Sequence, residues 1–567
     1  MGTRSGRGRS KAVVSPGFSS ANWLQALLVI ALVGAAYVPL GDYMARVYSR
    51  THHLRIERVI YRLGGVNPHL EQTWSHYLAA LLALSMTSVL GLFALLRLQA
   101  HLPLAEGHEG VSPALAFNTA VSFTTNTSWQ SYAGEATLGH LALATGLGVG
   151  AFTSAAVGMA AGVALVRALA RHETNLVGNF WVDLIRGSLC ILLPLSVLFG
   201  VVLMASGVVQ NFQGPRHLST LVGGQQTILG GPVASWEPIK LLSGDGGGAF
   251  NANSAHPFEN PNPFSNVIQI AMMLLIPVAF IRLFGKIVGS HRQGWALLAV
   301  ATVLFLVGTA ATTTAQYLEH NTATVAAGGG LEGTETRFGV AGSSLFGATA
   351  TATADGAANA SYSSFSSFGG GVLMANMMLG EVSPGGAGSG LYALLMVALL
   401  AAFLGGLMIG RTPGYLRKKL RPREMKLIAL YIVIAPIVIL AGTGLAAALP
   451  AGRASIGNPG PHGLSEILYA FVSSTNGNGS AFASLTGNTD FYNTALALAM
   501  LVGRYLPMIL VLALAGSFAA QRQGAAEGSL RTDSPLFVAL VIVVTLIVVG
   551  LEFFPVLALG PLAEGLS

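Results

Sequence analysis

The chain has 567 residues, of which 52% are apolar and only 9% charged, and its mean hydropathy is +0.62. An ordinary soluble domain carries about a quarter charged residues, so this composition excludes one and indicates a polytopic membrane protein. The net charge of +7 does not point to a nucleic-acid partner, because the charges sit in short loops between apolar stretches. A single cysteine, Cys190, excludes a disulfide framework or a cysteine metal site within one chain.

Residues 1–22 form a basic, serine- and glycine-rich tail containing Arg4, Arg7, Arg9 and Lys11. The first apolar run, 23–40, has the composition of a signal-peptide core. At 18 residues it is long enough to span, and the chain beyond it is itself membranous. Nine further spans are expected at roughly 76–98, 139–165, 184–206, 264–285, 295–317, 391–410, 427–449, 491–519 and 535–557. Ten crossings put both termini on one side. The loops 41–75, 166–186, 282–294, 411–426 and 520–534 hold twenty of the thirty Lys and Arg residues. The positive-inside rule makes these loops cytoplasmic and both termini external, although the basic tail alone favours the reverse. The richest loop carries Arg417, Lys418, Lys419, Arg421 and Arg423. These read as a topology determinant that touches lipid headgroups, with docking to a partner as a second reading.

Four short polar loops then fall on the external side, between spans two and three, four and five, six and seven, and eight and nine. They are Thr125-Asn126-Thr127, Gly244-Asp245-Gly246 with Gly247, Ala354-Asp355-Gly356, and Asn476-Gly477-Asn478-Gly479. From Asn126 through Asp245 and Asp355 to Asn478 the intervals are 119, 110 and 123 residues. That period is too long for a solenoid and suits a repeated membrane unit. Any one Asn-Gly or Asp-Gly is an ordinary turn; four in equivalent positions are not. Before each loop lies an apolar stretch too short to cross, at 113–123, 235–242, 339–348 and 464–472. A helix that dips in and returns points its C-terminal end, with about half a negative charge, toward the membrane centre. Glycine at these points accepts positive φ and lets successive carbonyls turn toward one axis, where four such loops would replace the water shell of a dehydrated cation. The expected fold class is an all-α polytopic membrane protein of ten transmembrane helices, with four fused span–pore–span repeats around a pseudo-fourfold axis. The repeats fall at 76–165, 184–285, 295–410 and 427–519. The first span with its loop (23–75) and the last span (535–557) lie outside the set.

Arg504 lies inside a span, where a charge is costly and by default faces an interior or a cavity. It reads as an electrostatic barrier beneath the filter, with snorkelling to an interface as the other reading. The glycines at 369–371 and the run from Gly380 and Glu381 through Gly385 and Gly386 to Gly390 interrupt the last crossing of repeat three. They read either as an external loop or as a broken helix forming a gate. His52, His53 and the other histidines show no metal-ligand pattern, and His256 reads as structural. No Gly-x-x-x-x-Gly-Lys-Ser/Thr phosphate loop and no Asp-Lys-Thr-Gly phosphorylation run is present. No cytoplasmic loop exceeds about 35 residues, too few for a nucleotide domain. Uphill transport by this chain therefore needs a partner ATPase or a coupled ion gradient.

Several runs resemble one family: 122–135 (Ser-Phe-Thr-Thr-Asn-Thr-Ser-Trp-Gln-Ser-Tyr-Ala-Gly-Glu), 246–260 (Gly-Gly-Gly-Ala-Phe-Asn-Ala-Asn-Ser-Ala-His-Pro-Phe-Glu-Asn), 376–381 (Asn-Met-Met-Leu-Gly-Glu), 407–413 (Leu-Met-Ile-Gly-Arg-Thr-Pro), 478–482 (Asn-Gly-Ser-Ala-Phe) and Gly503-Arg504. They look like the potassium-binding A subunit of bacterial Kdp-type potassium-transporting ATPases, and the resemblance runs from the first span to the last. It implies a potassium filter centred on Asn126-Thr127, Asp245-Gly246, Asp355-Gly356 and Asn478-Gly479, with Gln130 nearby. In the fourth loop Asn476-Gly477 fits as well, although the adjoining Ser-Ala-Phe favours the later pair. The resemblance further implies a subunit in the bacterial cytoplasmic (inner) membrane that binds no nucleotide itself. Its partners would be a P-type ATPase catalytic subunit, small accessory membrane subunits and lipid. Acidic Asp245, where the pattern more usually has asparagine, and Asp355 depart from it, as do the stretch 360–368 and the tail. Two carboxylates at a filter strengthen cation attraction but harden the field. The other functional reading is a stand-alone potassium channel or gradient-driven transporter with the same four repeats.

Overall fold

A computed structural model describes residues 20–318, 331–522 and 530–566. The expected basic tail lies outside them except for residues 20–22, which already belong to the first helix. Part of the basic loop at 520–534 lies outside them as well.

Among the described residues ten helices are long and apolar enough to cross a membrane: Leu24–Ser49, Trp74–His101, Ala142–Ala170, Phe180–Ala205, Pro263–Ile287, His291–Leu318, Ser389–Met408, Pro422–Ala448, Asp490–Ala520 and Pro535–Leu566. They are called spans one to ten. Among the short helices between them, one precedes each polar loop: Pro113–Thr124, Val233–Ser243, Gly339–Ala352 and Pro461–Thr475. At about 1.5 Å per residue none of these pore helices can cross a core about 30 Å thick. Proline starts three of them: Pro113 and Pro461 take the first helical position, and Pro232 stands just before Val233. A residue with fixed φ and no N–H suits a turn whose N–H groups have no helical partner.

The two crossings of each unit differ in burial. In the most apolar stretch of spans three, five, seven and nine, 78, 89, 67 and 44% is buried, against 17, 33, 39 and 22% in spans two, four, six and eight. The second crossing of every unit therefore forms an inner ring and the first an outer one. Lipid is as apolar as leucine, so the inner ring is held by close approach through small residues. A Cβ on Gly503 of span nine would stand 1.9 Å from the Thr475 carbonyl oxygen, at the end of the fourth pore helix. A Cβ on Gly388 would stand 2.5 Å from the Gly158 carbonyl oxygen of span three.

Spans one and ten pack outside this fourfold set. Span one lies along span five, where Arg282 Nε donates to Asp42 Oδ1 at 2.8 Å. The end of span ten reaches the fourth pore helix, with Gly560 set against Ser465. Opposite the pore helices the loops close in short antiparallel pairs, Gln72–Thr73 with Leu176–Gly178 and Gly414–Tyr415 with Lys418–Lys419. Here the expectation that the basic run touches lipid headgroups fails at one residue. Lys418 is 2% exposed, and its Nζ donates to the carbonyls of Arg171, Phe518 and Gln521 at 2.5, 2.8 and 3.3 Å. It caps the C-terminal end of span nine, where a helix leaves carbonyls without partners.

Repeat three contains the interrupted crossing. A helix at Ser367–Met378 stops, and span seven resumes at Ser389. Gly369, Gly370 and Gly371 lie inside the first of these helices and interrupt nothing. The break is confined to 379–388, which is mostly buried rather than an external loop.

Candidate functional site

Each pore helix ends on the same hydrogen bond. The amide of Thr127 donates to the Ser122 carbonyl at 3.0 Å, Asp245 to Lys240 at 3.1 Å, Asp355 to Ala350 at 3.0 Å and Asn478 to Ser473 at 2.9 Å. All four bonds reach back five residues, as in a Schellman closure, which needs a left-handed residue just before the donor. Those residues are Asn126 (φ 60°), Gly244 (62°), Ala354 (54°) and Gly477 (69°). Equivalent positions are therefore Thr127, Asp245, Asp355 and Asn478, followed by Ser128, Gly246, Gly356 and Gly479.

This register shifts the first loop by one residue from the expected frame. Asn126 stands level with Gly244, and Ser128 (φ 54°) takes the place held by Gly246, Gly356 and Gly479 in the other loops. Asparagine tolerates left-handed backbone better than most residues, so it serves here as the turn residue. In the fourth loop Asn478, not Asn476, occupies the position equivalent to Asp245 and Asp355.

The four loops touch in chain order and close a ring. Asn126 Nδ2 donates to the Gly244 carbonyl at 2.7 Å, joining loop one to loop two. A Cβ on Gly246 would stand 2.1 Å from the Gly356 amide nitrogen, and one on Gly356 would stand 2.8 Å from the Asn478 carbonyl oxygen. A Cβ on Gly479 would stand 1.8 Å from the Thr127 carbonyl oxygen, so loop four meets loop one. The backbones approach this closely because no side chain stands between them.

Side chains brace the ring from behind. Asn126 Oδ1 accepts from Ser154 Oγ of span three at 3.0 Å. Asn478 Nδ2 donates to the Ala350 and Asp355 carbonyls at 3.0 and 3.3 Å. Asp355 Oδ1 accepts from the Ala357 amide at 2.9 Å, and Asn478 Oδ1 from the Ser480 amide at 3.1 Å, so both close the same turn two residues on. Asp245 does not. It is fully buried, and among the described residues neither of its carboxylate oxygens meets a donor in hydrogen-bonding geometry, although the Ser128 hydroxyl and the charge of Arg504 are near enough to act on it. Gln130 straps loops one and two on the outer side, its Oε1 accepting from the Gly248 amide at 2.8 Å.

Lys240, whose carbonyl closes loop two, was not anticipated from the sequence, although a charge inside a half-helix was a signal. Its Nζ lies 2.9 Å from Glu237 Oε1, 2.8 Å from Glu259 Oε2 and 2.8 Å from Asn253 Oδ1, with the lysine and both glutamates beyond the reach of solvent. The Glu259 carboxylate also accepts from the Phe250 amide at 2.8 Å. A buried cation with two carboxylates thus pins the segment after loop two to the second pore helix. His256 stacks on Phe250 at 3.9 Å, and burial pushes its pKa down, in keeping with a structural role.

The break at 379–388 lies against the ring. The Gly385 amide donates to the Ala352 carbonyl at 2.9 Å. Gly386 and Ala387 stand 3.6 Å from a Cβ placed on Gly244, and Glu381 Oε1 stands 3.8 Å from one placed on Gly477. Gly380 and Glu381 both have left-handed backbone, at φ 71° and 62°. Arg504, 7% exposed, donates from Nη2 to the Ser154 carbonyl at 3.3 Å and lies within electrostatic range of Glu381. A cavity of about 100 Å³ starts at Gly477, Glu381 and Arg504 and runs sideways to Tyr431, Thr545 and Glu552. It has room for several waters. Ser128, Ser154 and Glu552 were also missed from the sequence. Only Glu552, a lone acid inside the last span, gave a readable signal.

The fold is that of the potassium transporter TrkH from Vibrio parahaemolyticus, with a TM-score of 0.53 at 14% identity, covering 88% of this chain and 98% of that one. Sequence relatives are nearer. The potassium-transporting ATPase potassium-binding subunit of Clavibacter michiganensis subsp. michiganensis is 54% identical, over 96% of this chain and 99% of its own. The subunit of that name from Kineococcus radiotolerans is 52% identical, over 96% of this chain and 98% of its own. The family model of the potassium-transporting ATPase A subunit matches residues 27–566, which takes in all four loops of the ring, and the chain belongs to that family.

Proposed function

We propose that this chain is the potassium-binding, selecting and translocating subunit of an ATP-driven uptake pump. The observation that carries the reading is the closed ring of four loops, each ended by the same five-residue hydrogen bond, in a member of this family. The ion enters from the pore-helix side, which the distribution of Lys and Arg makes external, with both termini on that side. The membrane is the bacterial cytoplasmic membrane. Ligands at the ring are backbone carbonyls of Thr127, Asp245, Asp355 and Asn478 and their neighbours, which substitute for the water shell of potassium. This chain binds no nucleotide. Energy comes from a P-type ATPase subunit, held in one complex with small accessory membrane subunits.

The test is purification from native membrane in mild detergent, with ATP hydrolysis measured against potassium. A co-purifying ATPase stimulated by potassium is the expected result. In the Gly246→Ser complex, half-saturating potassium should rise at least about tenfold and other monovalent cations should stimulate, because a side chain there displaces the Gly356 backbone. A lone chain that conducts potassium in liposomes without ATP would make the protein a channel or passive transporter instead.

A further inference from the structure

The tenth span carries an acid that the filter does not use. Glu552 stands about midway along Pro535–Leu566, at the depth of the membrane core. Thr545, Val548, Val549, Glu552 and Phe553 all line the cavity that begins beneath loop four. Their spacing of three, four, seven and eight residues places them on one helix face. Leu551 and Phe554 beside them are exposed toward lipid, at 79 and 60%. Glu552 therefore sits where the cavity wall meets the outside of the protein. Among the described residues it has no hydrogen bond and no ion pair. A carboxylate at this depth without a cationic partner is costly, and such residues mark ion pathways.

Tyr431 and Thr545 supply further oxygens on the same cavity. The Thr545 hydroxyl donates its proton to the Val541 carbonyl at 2.8 Å, which leaves its lone pairs for a cation. Near loop four the same cavity is lined by Arg504 together with Glu381, whose opposite charges largely offset each other. Glu552 is the cavity's carboxylate without such a cationic neighbour among the described residues.

We infer that Glu552 forms a second potassium site outside the filter, a relay carboxylate that holds the ion after it leaves the ring and before it passes to the partner subunit. The inference rests on the proposed pump function. It gives the cavity a direction and places the exit at the span-ten edge.

The test uses the intact complex in proteoliposomes, with rubidium uptake and potassium-stimulated ATP hydrolysis measured together. Glu552→Gln should lower rubidium carried per ATP about tenfold while half-saturating external potassium stays within about twofold of wild type, since the filter is untouched. Glu552→Asp, which keeps the charge, should retain most of the transport. Equal transport by wild type and Glu552→Gln would overturn the site. Loss of the ATPase from the purified Glu552→Gln complex would overturn it too, making Glu552 a docking residue for a cationic side chain of the partner. A wild-type complex with no potassium-stimulated hydrolysis would defeat the pump reading itself, a result distinct from either of these.

Discussion

Asp355 and Asn478 occupy equivalent places in different loops, and each turns a side-chain oxygen onto the amide two residues on. An amide therefore does at one loop what a carboxylate does at the other. Asp355→Asn should keep the turn, and half-saturating potassium should stay within about twofold of wild type. Asp245 is the contrasting case, since among the described residues neither of its oxygens completes a hydrogen bond. A buried carboxylate without such bonds destabilises a fold, and the nearby charge of Arg504 offsets only part of that cost. Asp245→Asn should therefore raise the melting temperature of the potassium-free complex and reduce the further rise that potassium brings. A lower potassium-free melting temperature would show that Asp245 instead holds the loop together. The composition of the four loops was legible because asparagine, aspartate and glycine are turn residues. The frame of the first loop was not. Thr-Asn-Thr reads by residue type as if its asparagine matched Asp245, whereas backbone sign makes it match Gly244.

At the scale of elements, hydropathy and length located every span and every pore helix, because lipid imposes a near-fixed length on anything that crosses. The break in repeat three was legible as a glycine-rich stretch, but not its limits. Gly369–371 sit in helix because neighbouring elements pack there: a Cβ on Gly370 would stand 2.9 Å from the Phe482 ring. Span nine shows how packing sets chemistry. Gly503 brings the helix against the Thr475 carbonyl, and this places Arg504 beside the inner end of the ring. A unit charge about 5 Å from a passing ion, at an effective dielectric constant of about 20, raises its energy by roughly 3 kcal/mol. A barrier of that size slows free passage roughly a hundredfold, before the opposing charge of Glu381 is counted. Arg504→Gln should raise passive rubidium flux through the complex without ATP by about tenfold or more and lower the number of ions carried per ATP. Unchanged passive flux would leave Arg504 as a packing residue that ties span nine to the Ser154 carbonyl.

At the scale of the whole molecule, the tenth span lies outside the four repeats, yet it lines one side of the cavity that also touches loop four and Arg504. Sequence placed it there as an extra crossing but gave no sign of what holds it, because its ties join residues far apart in the chain. His462 Nδ1, on the fourth pore helix, donates to Glu564 Oε1 at 3.0 Å across 102 residues. The ring stacks on Phe482 at 5.7 Å, and its other nitrogen lies 3.0 Å from Ser363 Oγ of repeat three. The bond to Glu564 raises the His462 pKa, and partial burial offsets only some of that rise. A histidine whose folded pKa is raised contributes stability in its charged form. The contribution is full below the unfolded value of about 6.5 and disappears as pH climbs through the raised folded value. The difference in melting temperature between wild type and His462→Gln should therefore be largest near pH 6 and shrink steadily toward alkaline pH. A difference that stays constant with pH would mean that His462 stabilises through its stacking on Phe482 and not through the ion pair to span ten. Loosening of this tie moves the cavity wall without touching the ring. Alkaline pH should accordingly lower transport per ATP before it alters half-saturating potassium, and His462→Gln should show that lower coupling already at pH 6.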